Sequence, residues 1–256
     1  MLLPEHARPG VVKLPAPNRD QRRISGGLAG AERGYPHFVR DAYQEQLDDL
    51  GGRLAGMCGL VADALDTATR ALLSADLSLA ERVIAEDARI DDLRTAAENQ
   101  AFALLALQSP VATDLRIVVS ALHAAADIER MGDLAMHIAK AARRRHPHPV
   151  MPTEVAPYFA EMGRLGSALA RKAGEVIRLR DLGQAAQLEA DDDAMDELHR
   201  RLFTMLVGPQ WTHGVRPAVD ITLIGRFYER FADHAVTLAR RVVYVVTGQV
   251  PGRMSV

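Results

Sequence analysis

Residues 117–142 read IVVSALHAAADIERMGDLAMHIAKAA, and apolar residues recur in this stretch at alternating steps of four and three. The positions are Ile117, Ala121, Ala124, Ile128, Met131, Ala135, Ile138 and Ala142. Such spacing gathers them into one stripe along an α-helix, which is the pattern of a seam buried against other helices. One hundred residues later, residues 217–242 read PAVDITLIGRFYERFADHAVTLARRV, with an apolar stripe at the same steps. The sequence therefore predicts two copies of one core helix.

A second pair of segments matches at an offset of 105 residues. The matched pairs are Asp76 and Asp181, Asp87 and Asp192, Ile90 and Met195, and Asp91 and Asp196. The five-residue difference between the two offsets belongs in the loop that separates the matched segments. Because an internal repeat bears on the whole fold, we expect the chain to consist of two similar halves.

The composition favours helices and argues against several classes of protein. Aromatic residues make up only 5% of the chain while alanine and leucine are abundant, a bias that favours helix packing over sheets. The net charge of −2 argues against general nucleic-acid binding. No apolar run approaches the roughly 18 residues of a membrane span, and the N-terminus lacks a signal-peptide core. We therefore expect a cytoplasmic protein without direct membrane insertion, in which the single cysteine, Cys58, is a small buried side chain.

These patterns predict an all-α protein of six long helices, at about 40–74, 77–107, 110–145, 153–180, 183–207 and 216–247. Asp76 is predicted to cap the second helix, and Ser109 the third, with Pro110 at the first helical position. The prolines of residues 147–152 interrupt the helical pattern between the two halves.

The predicted organisation is accordingly two tandem antiparallel three-helix bundles with terminal extensions. The segments are a flexible N-terminal extension (1–38), a first bundle (39–146), a Pro-rich linker (147–152), a second bundle (153–248) and a C-terminal tail (249–256). One hypothesis places the natural start of the protein at Val39, where the helical pattern begins.

Acidic pairs spaced four residues apart lie beside the apolar seams of both halves. They are Asp87 and Asp91, Glu129 and Asp133, Asp192 and Asp196, and Glu229 and Asp233. Each pair points two like charges in nearly one direction, an arrangement that is repulsive unless a basic side chain or a hard cation offsets it. A single pair of this kind is usually a solvated face. Its recurrence on matched helices of both halves favours metal binding.

Several other residues carry narrower expectations. His137 continues the stripe of Glu129 and Asp133 and could add a nitrogen ligand to the first cluster, whereas Thr237 holds the matching place in the second half. His234, like His123, is expected to be satisfied or exposed instead of a ligand. The three arginines of residues 143–145 complement the negative end of a helix dipole.

Two segments closely resemble the PhoU family of regulators associated with phosphate transport. They are ALLALQSPVATDLR at residues 103–116 and DIERMGD at residues 127–133. The similarity also includes the Asp-x-x-Ile-Asp-x-Leu segment of residues 87–93 and the second signature, ERFADHA, at residues 229–235. It spans residues 40 to 247 or so. The resemblance implies tandem three-helix bundles with pseudo-twofold symmetry, commonly a homodimer, that bind metal clusters through Glu/Asp-x-x-x-Asp motifs.

Carried over to this sequence, the family's motifs assign eight metal ligands in two clusters. The first cluster would use Asp87, Asp91, Glu129 and Asp133, and the second Asp192, Asp196, Glu229 and Asp233. Divalent or trivalent ions of iron, zinc, manganese or magnesium are all open. The sequence departs from the family at Ala232, where glycine is usual, and at His137 and Thr237, where asparagine is usual.

The resemblance further implies a non-enzymatic protein without catalytic or organic-cofactor-binding residues. It would couple the ATPase subunit of the phosphate ABC transporter to the sensor histidine kinase of the phosphate regulon, and so act as a negative regulator of phosphate uptake and of the starvation response. The alternatives are a carboxylate-bridged di-metal oxidase and a metal-free structural adaptor. The oxidase is disfavoured because such sites place His three residues after a ligand Glu, whereas Gly132 and Ala232 hold those positions here.

Overall fold

The computed structural model describes residues 35–249, and side chains from residue 41 onward except that of residue 108. Its six α-helices are α1 (Tyr35–Ser74), α2 (Leu77–Gln108), α3 (Ala112–Arg145), α4 (Ala156–Leu179), α5 (Leu182–Val207) and α6 (Val215–Thr247). The predicted all-α class and six-helix organisation are confirmed. The predicted terminal extensions lie outside the described residues, apart from residues 35–38, which begin α1, and residue 249. No helix in the described range is both long and apolar enough to cross a lipid bilayer.

Aspartates cap the two matched helices α2 and α5. The backbone N–H of Leu79 donates to Asp76 Oδ1 at 3.0 Å, as the sequence predicts. At the matching position, Asp181 Oδ1 accepts from the backbone N–H groups of Gly183 and Gln184 at 2.8 and 3.1 Å. The start of each helix is therefore fixed by the same interaction in both halves.

The predicted start of α3 at Ser109-Pro110 is wrong. Ser109 instead follows the last residue of α2 in a left-handed conformation, with φ at 46°. Proline disfavours right-handed helical geometry in the residue before it, and a left-handed residue is a common helix stop. Val111 then precedes α3 without a side-chain cap, so the helix begins two residues later than predicted, at Ala112.

The connection between the halves is packed onto the core. Val150, Met151 and Val155 are all buried, and backbone hydrogen bonds from Val155 to Pro152 and from Ala156 to Thr153 form tight turns. Helix α4 consequently begins at Ala156, three residues after its predicted start.

The predicted seams form the centre of the molecule. In α3 and α6 every seam position is buried except the first of each stripe, Ile117 and Pro217, which are half-buried. Tyr228, a large residue of the α6 seam, forms a hydrogen bond with Thr69 of α1 at 2.8 Å. Because the Thr69 hydroxyl donates its proton to the Leu65 carbonyl, Tyr228 is the donor in this bond. Cys58 is fully buried as predicted, and burial raises the pKa of its thiol to about 12.

Equivalent helices of the two halves also pack against each other. Helix α3 contacts α6, while α2 packs on α3 and α5 on α6. Helix α4 approaches α1 through glycines: Gly163 faces Thr69, and Gly174 faces Cys58. All described residues from Asp41 onward belong to one compact unit.

A half-buried carboxylate ties α3 to α6. Asp127 of α3 lies 3.1 Å from His234 Nδ1 and 2.8 Å from Arg241 Nε, both on α6. Burial raises the pKa of Asp127, but the His234 hydrogen bond and the Arg241 charge outweigh it, so the pKa lies below its ordinary value. His234 is thus satisfied by a structural partner, and His123 is exposed, as expected.

The contact between α1 and α4 predicts opposite effects for two glycine substitutions. A Cβ at Gly163 would lie 2.6 Å from Thr69 Oγ1, whereas nothing lies within 4 Å of a Cβ at Gly56 of α1. We expect Gly163→Ala to lower the free energy of unfolding by about 1–3 kcal/mol through overpacking. Gly56→Ala should raise it by about 0.5–1 kcal/mol through helix propensity. Urea unfolding measures both, and a stabilising Gly163→Ala would contradict this packing.

Candidate metal centre

The first acidic cluster consists of Asp87 and Asp91 on α2 with Glu129 and Asp133 on α3. The two helices approach closely beside it because α3 has a glycine there. A Cβ at Gly132 would lie 2.9 Å from Ile90 Cδ1 and 3.4 Å from Asp87 Oδ1. The structure therefore brings the four predicted carboxylates to facing sides of one helix pair.

The carboxylates of the first acidic cluster act on one another. Burial, followed by the charges of Asp133 and Asp91, raises the pKa of Asp87. Burial and the charge of Asp133 likewise raise the pKa of Glu129. A raised pKa means that the negative charge of the carboxylate is poorly compensated. The cluster would therefore be stabilised by an added positive charge.

Arginines provide part of that positive charge. Arg94 of α2 lies 3.8 Å from Glu129, and Arg130 lies 2.8 Å from Asp133. The pKa values of Asp87 and Glu129 are raised despite these neighbours. The arginines thus compensate the first acidic cluster only in part.

His137 is held by the backbone next to this cluster. Its Nδ1 donates to the Asp133 carbonyl at 2.6 Å, and its ring packs against Phe227 with centroids 5.4 Å apart. Only Nε2 is left to act as a metal ligand. In the second half the Thr237 hydroxyl donates to the Asp233 carbonyl at 2.9 Å. His137 and Thr237 therefore each donate a hydrogen bond to the backbone carbonyl four residues earlier.

The second acidic cluster consists of Asp192 and Asp196 on α5 with Glu229 and Asp233 on α6. Burial, together with the charges of Asp196 and Asp233, raises the pKa of Asp192 to about 7. Burial is also the main reason that the pKa values of Glu229 and Asp233 are raised. The charges of the predicted carboxylates of this half therefore act on one another across a helix pair.

Sequence reasoning missed the side chains that distinguish the two clusters. Arg226 forms an ion pair with Glu229. At an offset of 105, Arg94 falls on His199, whose charge when protonated acts on Glu229. Each glutamate therefore has an arginine beside it, Arg94 in the first half and Arg226 in the second. The second half has in addition, at the place of Arg94, a histidine that is a potential metal ligand. The same offset that aligns the aspartates would have found this difference.

The donor chemistry of both clusters fits a hard or borderline cation, since four carboxylates are available in each. Their burial and mutual repulsion supply an electrostatic reason for binding one. Among the described residues, no three His, Cys, Asp or Glu side chains are arranged to hold one ion. Binding would require the carboxylates to turn toward one another from their arginine partners.

The raised pKa of Asp192 predicts a pH-dependent effect of its removal. Between the unfolded pKa of about 4 and the folded value of about 7, the folded state binds the proton more tightly, so stability falls as pH rises through this range. We expect Asp192→Asn to stabilise metal-stripped protein by about 1 kcal/mol at pH 8, after allowance for solvent screening, and by little at pH 5. Urea unfolding in a chelating buffer measures the difference.

The exposed Asp92 provides the control for this experiment. Asp92→Asn should change stability little at either pH. Equal stabilisation by Asp192→Asn at both values, or destabilisation at pH 8, would contradict the proposed repulsion.

Comparisons with known proteins all match this chain to PhoU proteins. The PhoU domain model matches twice, over residues 54–142 and 159–242, once for each half. The "Phosphate-specific transport system accessory protein PhoU homolog 2" of Mycobacterium tuberculosis is 57% identical over 213 residues, which cover 83% of this chain and 100% of that protein. Homolog 1 of Mycobacterium leprae is also 57% identical, covering 83% of this chain and 96% of its own length.

Solved structures agree with the sequence matches. The phosphate transport system regulatory protein PhoU of Streptococcus pneumoniae superposes with a TM-score of 0.74 at 28% identity, covering 82% of this chain and 99% of that one. PhoU of Pseudomonas aeruginosa gives 0.71 at 25% identity, covering 81% and 100%. The duplicated helical frame, the two domain matches and the relatives that agree over most of the chain show that this protein belongs to the PhoU family.

Proposed function

We propose that this protein is a non-enzymatic regulator of phosphate uptake and of the phosphate-starvation response. Its relatives are accessory proteins of the phosphate-specific transport system, and the match extends over their whole length or nearly so. In this proposal it acts in the cytoplasm, as a homodimer. It couples the ATPase subunit of the phosphate ABC transporter to the sensor histidine kinase and restrains both when phosphate is plentiful.

A duplicated exposed apolar surface is the observation that carries the adaptor role. Large apolar side chains are exposed near the α2–α3 connection and again near the α5–α6 connection. On α3 and α6, Leu115 matches Val215 and Val119 matches Val219 at the offset of 100, and Leu107 and Val207 are exposed at the ends of α2 and α5. Leu107 is 78% exposed and Val215 79% exposed. Apolar surface that recurs in both halves is the kind that a protein partner covers.

The metal clusters have a structural role in this proposal. A cation held by Asp87, Asp91, Glu129 and Asp133 would neutralise the first acidic cluster and cross-link α2 to α3. One held by Asp192, Asp196, Glu229 and Asp233 would do the same for α5 and α6. A metal supplies Lewis acidity and positive charge when bound. The chain's own contribution is to hold carboxylates of two helices within range of each other.

The di-metal oxidase fits this chain less well. Its donor set includes a His three residues after a ligand Glu. Here a Cβ at Gly132 would already lie 2.9 Å from Ile90 Cδ1, so a histidine at this position would clash with α2. The corresponding Ala232 is fully buried.

Substitution of the exposed apolar surface tests the regulatory role. Deleting the gene should derepress phosphate-starvation genes in phosphate-rich medium, and the wild-type gene should restore repression. A Leu107→Asp/Val207→Asp double variant should fold normally but fail to restore repression, because charge prevents the apolar contact. Leu179→Asp, at an exposed apolar position on α4, is the matched control and should restore repression. Unchanged expression after deletion would overturn the proposal.

Metal content tests the clusters separately. Protein purified without chelators or metal-affinity columns should contain metal, and Glu129→Gln and Glu229→Gln should each remove the ions of one half. The isosteric amide retains volume but supplies one neutral oxygen ligand in place of a carboxylate. Glu175→Gln, at an exposed position of α4, should leave the content unchanged. Equal metal content in all four proteins would exclude these sites.

A further inference from the structure

A basic cleft lies between the C-terminal half of α3 and the N-terminal half of α6, outside both acidic clusters. Its volume is about 680 Å³, within the roughly 300–1,000 Å³ range of small-molecule sites. Four basic side chains, Lys140, Arg144, Arg145 and Arg216, line it together with one acidic side chain, Asp220. The cleft therefore has a positive charge that the acidic clusters do not explain.

Most of this charge is free to bind a ligand. Arg145 is engaged by Asp220 at 3.1 Å. Within the described part of the chain, Lys140, Arg144 and Arg216 form no ion pair with a carboxylate. Arg143, the first of the three consecutive arginines that end α3, pairs with Glu81 of α2 at 3.5 Å. An arginine can complement the helix dipole without lying in a cleft, so the dipole does not explain the position of Arg144.

The rest of the cleft wall is apolar and aromatic. Ala141, Val150 and Ile224 are buried in it. Phe227 of α6 also lines it, packed against His137 of α3 with the ring planes inclined at 53°. A ligand that fills this cleft would combine several negative charges with a flat apolar ring, because phosphoryl oxygens suit arginines and a base can stack on an aromatic side chain.

We propose that this cleft binds a nucleoside di- or triphosphate. The phosphoryl groups contact Lys140, Arg144 and Arg216, and the base lies against Phe227 and the apolar wall. This ligand goes beyond the proposed function, since it gives the protein an input other than its protein partners. The cleft joins α3 to α6, and Lys140 also lies close enough to Asp87 for its charge to act on that carboxylate. An anion in the cleft therefore competes with the first acidic cluster for Lys140.

Calorimetric titration of the full chain tests the proposal, with ADP, inorganic tripolyphosphate and adenosine as probes. ADP should bind, and an Arg144→Gln/Arg216→Gln variant should weaken it by at least about tenfold, since each arginine supplies a charge-assisted hydrogen bond. Phe227→Leu should weaken ADP by roughly fivefold, the effect of lost stacking, and leave tripolyphosphate unchanged. Arg178→Gln, at an exposed position on α4, should not alter ADP binding.

Three results would overturn the proposal. The first is no binding of ADP at millimolar concentration. The second is ADP binding that the double arginine variant leaves unchanged, which would place the ligand elsewhere, for example on cluster-bound metal. The third is equal affinity for ADP and tripolyphosphate with no effect of Phe227→Leu, which would mean that the cleft recognises phosphates alone. Circular dichroism of each variant separates lost binding from lost folding.

Discussion

Like charges that cannot move apart are the constraint on which the site depends. Four carboxylates in each half are carried on helices whose opposite faces are buried in a common core. A large apolar side chain such as Ile128 or Phe231 contributes about 1.5–3 kcal/mol when fully buried, so the large buried residues of each seam together outweigh the repulsion of a few partly screened carboxylates. The fold therefore holds the acids together at a cost in local stability. Raised pKa values at Asp87, Asp192 and Glu229 are the signature of that cost.

The two halves have the same helical arrangement but differ in the residues beside their acidic clusters. Both halves keep an aspartate cap, a seam and two acidic pairs, but Arg94 corresponds to His199 and His137 to Thr237. A guanidinium stays charged at all physiological pH values, whereas an imidazole can be neutral and bind metal. The two clusters consequently differ in electrostatic environment, and the proposed metal sites would differ in their preference for an ion.

Much of the fold could be predicted from the sequence because its strongest signals are local. Helical periodicity and the capping aspartate Asp76 each depend on residues within a few turns. Two kinds of feature were predicted wrongly or missed: a residue that suits two competing local roles, and contacts between residues far apart in the chain. Ser109 can cap the next helix or end the previous one, and the proline after it favours the second. The packing of Gly163 on Thr69 and the cleft that Arg144 and Arg216 both line bring together residues far apart in the chain, so no periodicity predicts them. The approach of Arg94 to Glu129 joins two helices and was missed for the same reason, whereas Arg226 lies only three residues before Glu229 and could have been found from the sequence.

Anomalous X-ray scattering from crystals of the metal-replete protein would locate any ion bound to the acidic clusters. We expect strong anomalous peaks at two places, one between α2 and α3 bounded by Asp87, Asp91, Glu129 and Asp133, and one between α5 and α6 bounded by Asp192, Asp196, Glu229 and Asp233. Crystals grown with manganese present and measured on both sides of its absorption edge would identify the ion. Carboxylates that remain paired with Arg94, Arg130 and Arg226, with no anomalous peak between them, would contradict this expectation.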